Sequence, residues 1–103
     1  MYYILDENKN PVKSDLETMS QFLYTNNSNK LIKQNYIGDK FVSTVFLGID
    51  HSFNIFEDKT PILFETMIFN KNSRCEDYCE RYSTYDESLK GHQRAIDSIK
   101  NKE

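Results

Sequence analysis

The chain is poor in the residues that mark specialised architectures and common reaction sites. Its 103 residues include no tryptophan, three glycines, two prolines and two cysteines. Three scattered glycines cannot build a phosphate-binding glycine loop, and the sequence contains neither a nucleophile elbow nor a His-Glu-x-x-His zinc motif. It also lacks an apolar run of membrane-spanning length and the basic start with an apolar segment that a signal peptide has. These absences predict a cytoplasmic protein that is not an enzyme of a standard kind and needs no cofactor.

Charge and cysteine content argue against two further classes of protein. The formal net charge is −3, which gives no general electrostatic attraction to DNA or RNA. Cys75 and Cys79 are four residues apart in a charged segment, and no histidine lies beside them. Because a structural zinc site needs four ligands, we interpret the two cysteines as reduced thiols and expect no bound metal.

Aromatic and β-branched residues are abundant in the remaining sequence, and they concentrate in two apolar segments at 41–49 and 62–69. Both segments have the composition of strands. Gly38 and Asp39 predict a hairpin turn that pairs 41–49 with 30–36. We therefore expect 41–49 to be a central strand, with 30–36 on one side and 62–69 on the other. Shorter strands are predicted at 2–5, 11–13 and 78–82.

Two helices are expected in addition. Ser14 and Glu17 form a capping box for a first helix, which ends near Thr25 where an asparagine-rich run begins. Ser83 and Thr84 begin a second helix. Together the elements predict a single α+β domain over residues 1–103, with a mainly antiparallel sheet of four to six strands and two helices packed on one face. The expected core consists of Phe22, Leu23, Val45, Leu47, Phe64, Ile68, Leu89 and Ile96.

Polar residues inside or beside these apolar elements are the candidate ligand-binding residues, because a polar group in an apolar strand needs a partner or a function. The candidates are Thr44, Asp50, His51, Glu65, Arg81, Tyr82, Tyr85 and His92. We predict that His51, Glu65, Arg81 and His92 lie close together, either at the strand ends or between the sheet and a helix.

Several candidates also have a structural interpretation. Glu65 either accepts hydrogen bonds from a ligand or pairs with Arg81 as a brace. His51 is either a binding or catalytic imidazole or a cap on the sheet, and His92 fits a core histidine with satisfied nitrogens. Gly91, in the middle of the second helix, indicates a close approach by another backbone or by a ligand.

The segment Arg-Tyr-Ser-Thr-Tyr, which runs from Arg81 to Tyr85, is a candidate anion- and base-contacting element. A guanidinium group binds phosphate bidentately, aromatic faces stack on bases, and the following helix N-terminus adds donors. The alternative is that these residues cap the helix and pack against the core.

Three segments of the chain together resemble a family of small proteins found in phage and prophage genomes. They are VSTVFLGIDHSF, PILFETMIF and RYSTYDESLKGH, in this order, and the similarity spans most of the chain. Two segments, at 26–30 and 70–79, depart from the family pattern. The resemblance implies a phage origin, a location in the host cytoplasm and no particular mechanism. It also implies a joint role for Thr44, Asp50, His51, Glu65, Arg81, Tyr82 and His92.

We therefore expect a phage accessory protein that acts by binding. It would antagonise host defence either by sequestering a small anionic, nucleotide-type signal or by docking on a defence protein. A sheet with one aromatic-containing face is also expected to form a homo-oligomer. One alternative is a small enzyme that acts on a phosphorylated or nucleotide substrate with His51 and Glu65 as acid and base. The second alternative is a structural or host-takeover factor with no ligand.

Overall fold

The fold is known from a computed structural model, which describes residues 2–25, 29–50, 60–70 and 75–101, with the backbone alone at 75–77. These residues form six strands and two helices. The strands are β1 (Tyr2–Leu5), β2 (Pro11–Ser14), β3 (Leu31–Ile37), β4 (Lys40–Phe46), β5 (Phe64–Asn70) and β6 (Cys75–Tyr82), and the helices are α1 (Leu16–Thr25) and α2 (Tyr85–Lys100). Both sheets are antiparallel and the helices pack against the larger one, which confirms the α+β class. Neither described helix combines the length and the apolar character needed to cross a membrane.

The larger sheet has the strand order β3-β4-β5-β6, and every neighbouring pair is antiparallel. The central position predicted for 41–49 is confirmed, because β4 pairs with β3 on one side and β5 on the other. Gly38, with a φ of 59°, lies in the tight turn between β3 and β4. β4 ends at Phe46, earlier than expected. β6 begins at Cys75, three residues before the strand predicted at 78–82.

Gly48 connects the larger sheet with α1 and with the small β1-β2 sheet. Its φ is 78°, a conformation that residues with a Cβ rarely adopt. A Cβ at this position would lie 2.9 Å from Leu23 Cδ1 and 3.0 Å from Met19 Sδ. The Gly48 carbonyl accepts a hydrogen bond from the Tyr3 amide at 2.7 Å. The glycine therefore allows α1 and β1 to pack closely at one end of the sheet, and it also explains why β4 stops where it does.

The core lies between the helices and one face of the larger sheet, which we call the inner face. Phe46 packs edge-to-face on Phe22 of α1, with ring centroids 6.1 Å apart. Val42 belongs to the cluster under α2 with Ala95. Because Val42 and Phe46 point to the same side of β4, both helices cover the same face. The fully buried apolar residues are Val42, Phe46, Leu63, Phe64 and Ala95.

The expected core was wrong about which side of β4 faces the helices. Val45 and Leu47 are half-buried, whereas Val42, Thr44 and Phe46 are fully buried. Apolar residues occur on both sides of this strand, so its sequence does not identify the buried face. A shift of the strand register by one residue moves every side chain to the other face.

The start of α1 also differs from the prediction. Asp15 Oδ1 accepts a hydrogen bond from the Thr18 amide at 2.7 Å, and this bond lowers the pKa of Asp15. The predicted capping box of Ser14 and Glu17 is wrong, because Ser14 is the last residue of β2 and pairs with Tyr2. The strand pairing holds Ser14 out of the helix, and the carboxylate of the next residue caps it instead.

α2 begins as predicted and lies across the inner face. The side chain of Thr84 accepts a hydrogen bond from the Glu87 amide at 3.1 Å. Leu89, expected in the core, is half-buried. The helix residues buried against the sheet are Ser88, Gly91, His92, Ala95, Ile96 and Ile99.

Candidate functional site

A row of polar side chains crosses the core under α2. His92 of the helix is fully buried, as are Thr44 and Thr66 on the inner face of β4 and β5. His92 Nδ1 lies 2.7 Å from Thr44 Oγ1, and His92 Nε2 lies 2.7 Å from Asn35 Oδ1. Thr44 Oγ1 is in turn 2.5 Å from Thr66 Oγ1. These four residues, which we call the polar row, connect α2 to three neighbouring strands.

A neutral His92 satisfies the hydrogen bonds of the polar row. With its proton on Nε2, the imidazole donates to Asn35 Oδ1 and accepts from the Thr44 hydroxyl at Nδ1. Burial lowers the pKa of His92 to about 4, and the positive charge of Lys33 acts in the same direction. The ring is therefore uncharged at neutral pH. With both nitrogens bonded, it has the structural role that one interpretation of the sequence gave it.

Tyr82 lies beside the polar row and packs against α2. A Cβ at Gly91 would overlap with the Oη, Cζ and Cε1 atoms of Tyr82. The close approach predicted at Gly91 therefore comes from a side chain, not from a backbone or a ligand. Tyr82 Oη is buried and has no hydrogen-bond partner among the described residues. Burial raises the pKa of Tyr82, and the nearby Thr66 hydroxyl offsets part of this rise.

Glu65 and Arg81 lie on the opposite face of the sheet, which we call the outer face. They are directly paired across β5 and β6, and Arg81 Nε donates to Glu65 Oε2 at 2.8 Å. The exposed thiol of Cys79 also donates to Glu65 Oε2 at 3.4 Å. The interaction with Glu65 raises the pKa of Arg81. The pair has the geometry of the brace that the sequence offered as the structural interpretation of Glu65.

The prediction that Glu65, Arg81 and His92 lie close together is wrong. Successive residues of a strand point to opposite faces, so Thr66 and Tyr82 face the helix while Glu65 and Arg81 face away from it. The polar candidates form two sets separated by the thickness of the sheet, and each set has its own partners.

The predicted anion- and base-contacting element is divided in the same way. Tyr82 is buried under α2, and Tyr85 is half-buried, with its ring 6.5 Å from that of Phe64. Arg81 points away from both, and its side chain is 44% exposed. Arg81 and the two tyrosines therefore do not form one pocket.

Asp50 and His51 complete the predicted set. Asp50 Oδ1 accepts a hydrogen bond from the Ile62 amide at 2.9 Å, so it connects the chain after β4 to the chain before β5. His51 lies outside the described residues, and its roles as a ligand-binding residue or as an acid or base stay predictions.

The outer face carries three aromatic residues that the sequence did not identify as members of one surface. Tyr36, Phe41 and Phe69 occupy paired positions on three neighbouring strands. The Tyr36 and Phe41 ring centroids are 4.7 Å apart, and those of Phe41 and Phe69 are 6.3 Å apart. Tyr36 is 79% exposed. We call these residues the aromatic row. Phe41 and Phe69 are half-buried, and because both described helices pack on the inner face, neither of them covers this row.

The edges of the sheet are less suited to contact than its outer face. The pairing register shifts between Leu31 and Lys33 where β3 meets β4, and between Met67 and Phe69 where β5 meets β6. Such irregularities twist an edge strand and disfavour the addition of a further strand. A partner of this sheet would thus contact the face rather than continue the ladder.

No group of three or more His, Cys, Asp or Glu residues in the described ranges has a geometry suited to a metal ion. Comparisons of the chain with protein-family models, with curated proteins and with solved structures found no match.

Proposed function

We propose that this chain is a small phage accessory protein that antagonises host defence by binding a host protein through the outer face of its larger sheet. The observation that carries the proposal is the aromatic row. Tyrosine and phenylalanine are enriched in the contact cores of protein interfaces, and here the exposed ring of Tyr36 adjoins the half-buried ring of Phe41, which is followed by that of Phe69. The resemblance to phage proteins supplies the biological setting.

Binding is favoured over catalysis by the state of Glu65, the one described member of the predicted acid–base pair, and of His92, the one described histidine. His92 is fully buried and uses both of its nitrogens inside the core. Glu65 accepts hydrogen bonds from Arg81 and Cys79, and its side chain is 13% exposed. A general acid or base has to reach the substrate, and both groups are engaged in holding the fold.

A protein partner is favoured over a nucleotide because of the shape of the surface. Nucleotides bind in concave pockets with converging polar groups, whereas the described side chains of the outer face lie on a sheet surface and include three neighbouring aromatic residues. The guanidinium and phenol groups that would have recognised a nucleotide are on opposite faces. An open face with aromatic anchors matches the contact area of a protein partner.

Infection assays test the proposal in hosts that carry individual defence systems. Expression of the wild-type chain should restore plaque formation in at least one such host. Tyr36→Ser should abolish this effect because it removes the exposed end of the aromatic row. Tyr24→Ser is the matched control, since Tyr24 is a tyrosine of similar exposure, 71%, on α1.

The outcomes separate the competing functions. Restoration that survives Tyr36→Ser, or that is lost equally in Tyr24→Ser, would rule out the outer face as the contact surface. A nucleotide that co-purifies with the protein would favour sequestration. Multiple turnover of a nucleotide substrate would make the protein an enzyme.

A further inference from the structure

We infer that the protein partner presents an apolar anchor to the aromatic row and a carboxylate to Arg81, at two points about 13 Å apart. Such a partner presupposes the proposed binding function and specifies its chemistry. Four structural features support it: the unequal exposure of the ion pair, the spacing along the strands, the neutral surface between the two points, and the lack of a matching carboxylate on a second copy of the face.

The ion pair on the outer face presents its two charges unequally. The side chain of Arg81 is 44% exposed, whereas that of Glu65 is 13% exposed. The charge that a partner contacts on this face is therefore the positive guanidinium group, although the chain as a whole has a net charge of −3. Glu65 uses the donor at Nε, and a guanidinium group carries five donors in a planar fork that matches a carboxylate.

The spacing follows from the strand register. Phe69 and Glu65 are four residues apart on β5 and point to the same face. Phe41 is the paired neighbour of Phe69, and Arg81 is the paired neighbour of Glu65. At about 3.3 Å per residue, the aromatic row and the guanidinium group are separated by about 13 Å along the strands.

The surface between these two points requires few specific contacts from a partner. Ser43 and Met67 are paired there, and Gln34 donates to the Ser43 hydroxyl at 3.2 Å. Ser43 is only 8% exposed, so its hydroxyl is already shielded and bonded. A partner can cover this middle section without having to supply a specific polar group.

A second copy of this chain is a poorer match. Among the described side chains of the outer face, the one carboxylate is Glu65, which is shielded and already accepts a hydrogen bond from Arg81. Face-to-face stacking of two copies would remove water from two exposed guanidinium groups without offering either of them a new carboxylate. Such desolvation is unfavourable.

Selection from a display library of random linear peptides tests the inference on the full chain. Peptides retained by the wild type should combine an aromatic or large aliphatic residue with an Asp or Glu about four positions away, which is the matching distance in an extended peptide. Arg81→Gln removes the charge but keeps a donor for Glu65, and it should weaken binding of the selected peptides about ten-fold. The double exchange Glu65→Arg with Arg81→Glu should shift the preference to basic peptides.

Each result has a distinct meaning. Peptides that bind through Tyr36 but show no acidic preference would overturn the inference about the partner and leave the proposed binding function intact. No retention that depends on Tyr36 would overturn both. A concentration-dependent dimer in sedimentation experiments, abolished by Tyr36→Ser, would identify a second copy as the occupant and likewise overturn the inference. If the double exchange variant does not fold, as judged by thermal melting, Arg81→Gln alone decides the test.

Discussion

Gly91 of α2 lies directly against the phenol ring of Tyr82 in β6, so close that the space of a single Cβ is already occupied by ring atoms. A glycine in the middle of a helix lowers helix stability by about 1 kcal/mol relative to alanine. Here the residue is needed because the edge strand places its largest buried side chain under the centre of the helix.

Gly91→Ala should lower the free energy of unfolding by about 2 kcal/mol. Overpacking costs about 1–3 kcal/mol, and we expect the upper end of this range because the added methyl group would overlap with ring atoms. The gain in helix propensity of about 1 kcal/mol offsets part of this cost. Urea denaturation measures the change. In a Tyr82→Leu background the same substitution should cost less, because the ring is gone. A Gly91→Ala protein more stable than the wild type would mean that the helix can shift away from Tyr82.

Stability should depend on pH through His92. Its pKa falls from about 6.5 in the unfolded chain to about 4 in the fold. The unfolded state therefore binds a proton that the folded state does not between these values, so stability is lost as pH falls from about 6.5 to about 4 and is constant above this window. The expected loss is on the order of 3 kcal/mol.

Urea denaturation at several pH values between 4 and 7 measures this slope. Asp15, whose pKa is lowered from 3.8, contributes only at the acid end of this window. His92→Asn should be less stable at pH 7 but should show a smaller slope between pH 4 and 6.5. An equal slope in this variant would assign the pH dependence to other groups.

Thr44 should matter more to stability than Thr66. Thr44 Oγ1 contacts both His92 Nδ1 and Thr66 Oγ1, so Thr44→Val leaves two buried polar groups without this partner. Unpaired buried groups cost about 1–3 kcal/mol each, and we expect a loss of about 3 kcal/mol for Thr44→Val.

Thr66→Val is the matched control, because it makes the same change of shape and removes the bond to Thr44 but leaves the bond between Thr44 and His92 in place. It should cost about 1 kcal/mol, in the range of one hydrogen bond. Equal costs in thermal or chemical unfolding would show that the bond between Thr44 and His92 contributes little.

Ile96 and Leu89 should differ although both lie on α2. Ile96 is 6% exposed in the cluster under the helix, whereas Leu89 is half-buried. Ile96→Ala should lower the free energy of unfolding by about 2–4 kcal/mol, and Leu89→Ala by about 1 kcal/mol. Chemical denaturation of the two variants compares them directly. A larger effect at Leu89 would place the centre of the interface about two turns closer to the start of the helix.

The sequence by itself determined the elements whose signals are local. The turn at Gly38, the cap at Thr84 and the β-branched and aromatic content of 41–49 predicted the hairpin, the start of α2 and the central strand, because each depends on neighbouring residues. The cap of α1 was displaced by one residue, since the pairing of Ser14 with Tyr2 is a contact between strands that local propensity does not include.

Only the tertiary structure decided which polar residues meet. Glu65 and Thr66 are adjacent in sequence, yet one pairs with Arg81 on the outer face and the other with Thr44 in the core. Strand alternation separates neighbours in this way, and β4 has apolar residues on both sides, so the sequence did not identify the face that α2 covers. On the face that α2 does cover, His92 contacts Thr44 and Gly91 lies against Tyr82. Neither of the described helices covers the aromatic row on the other side, because each helix can bury its apolar stripe against just one face of the sheet.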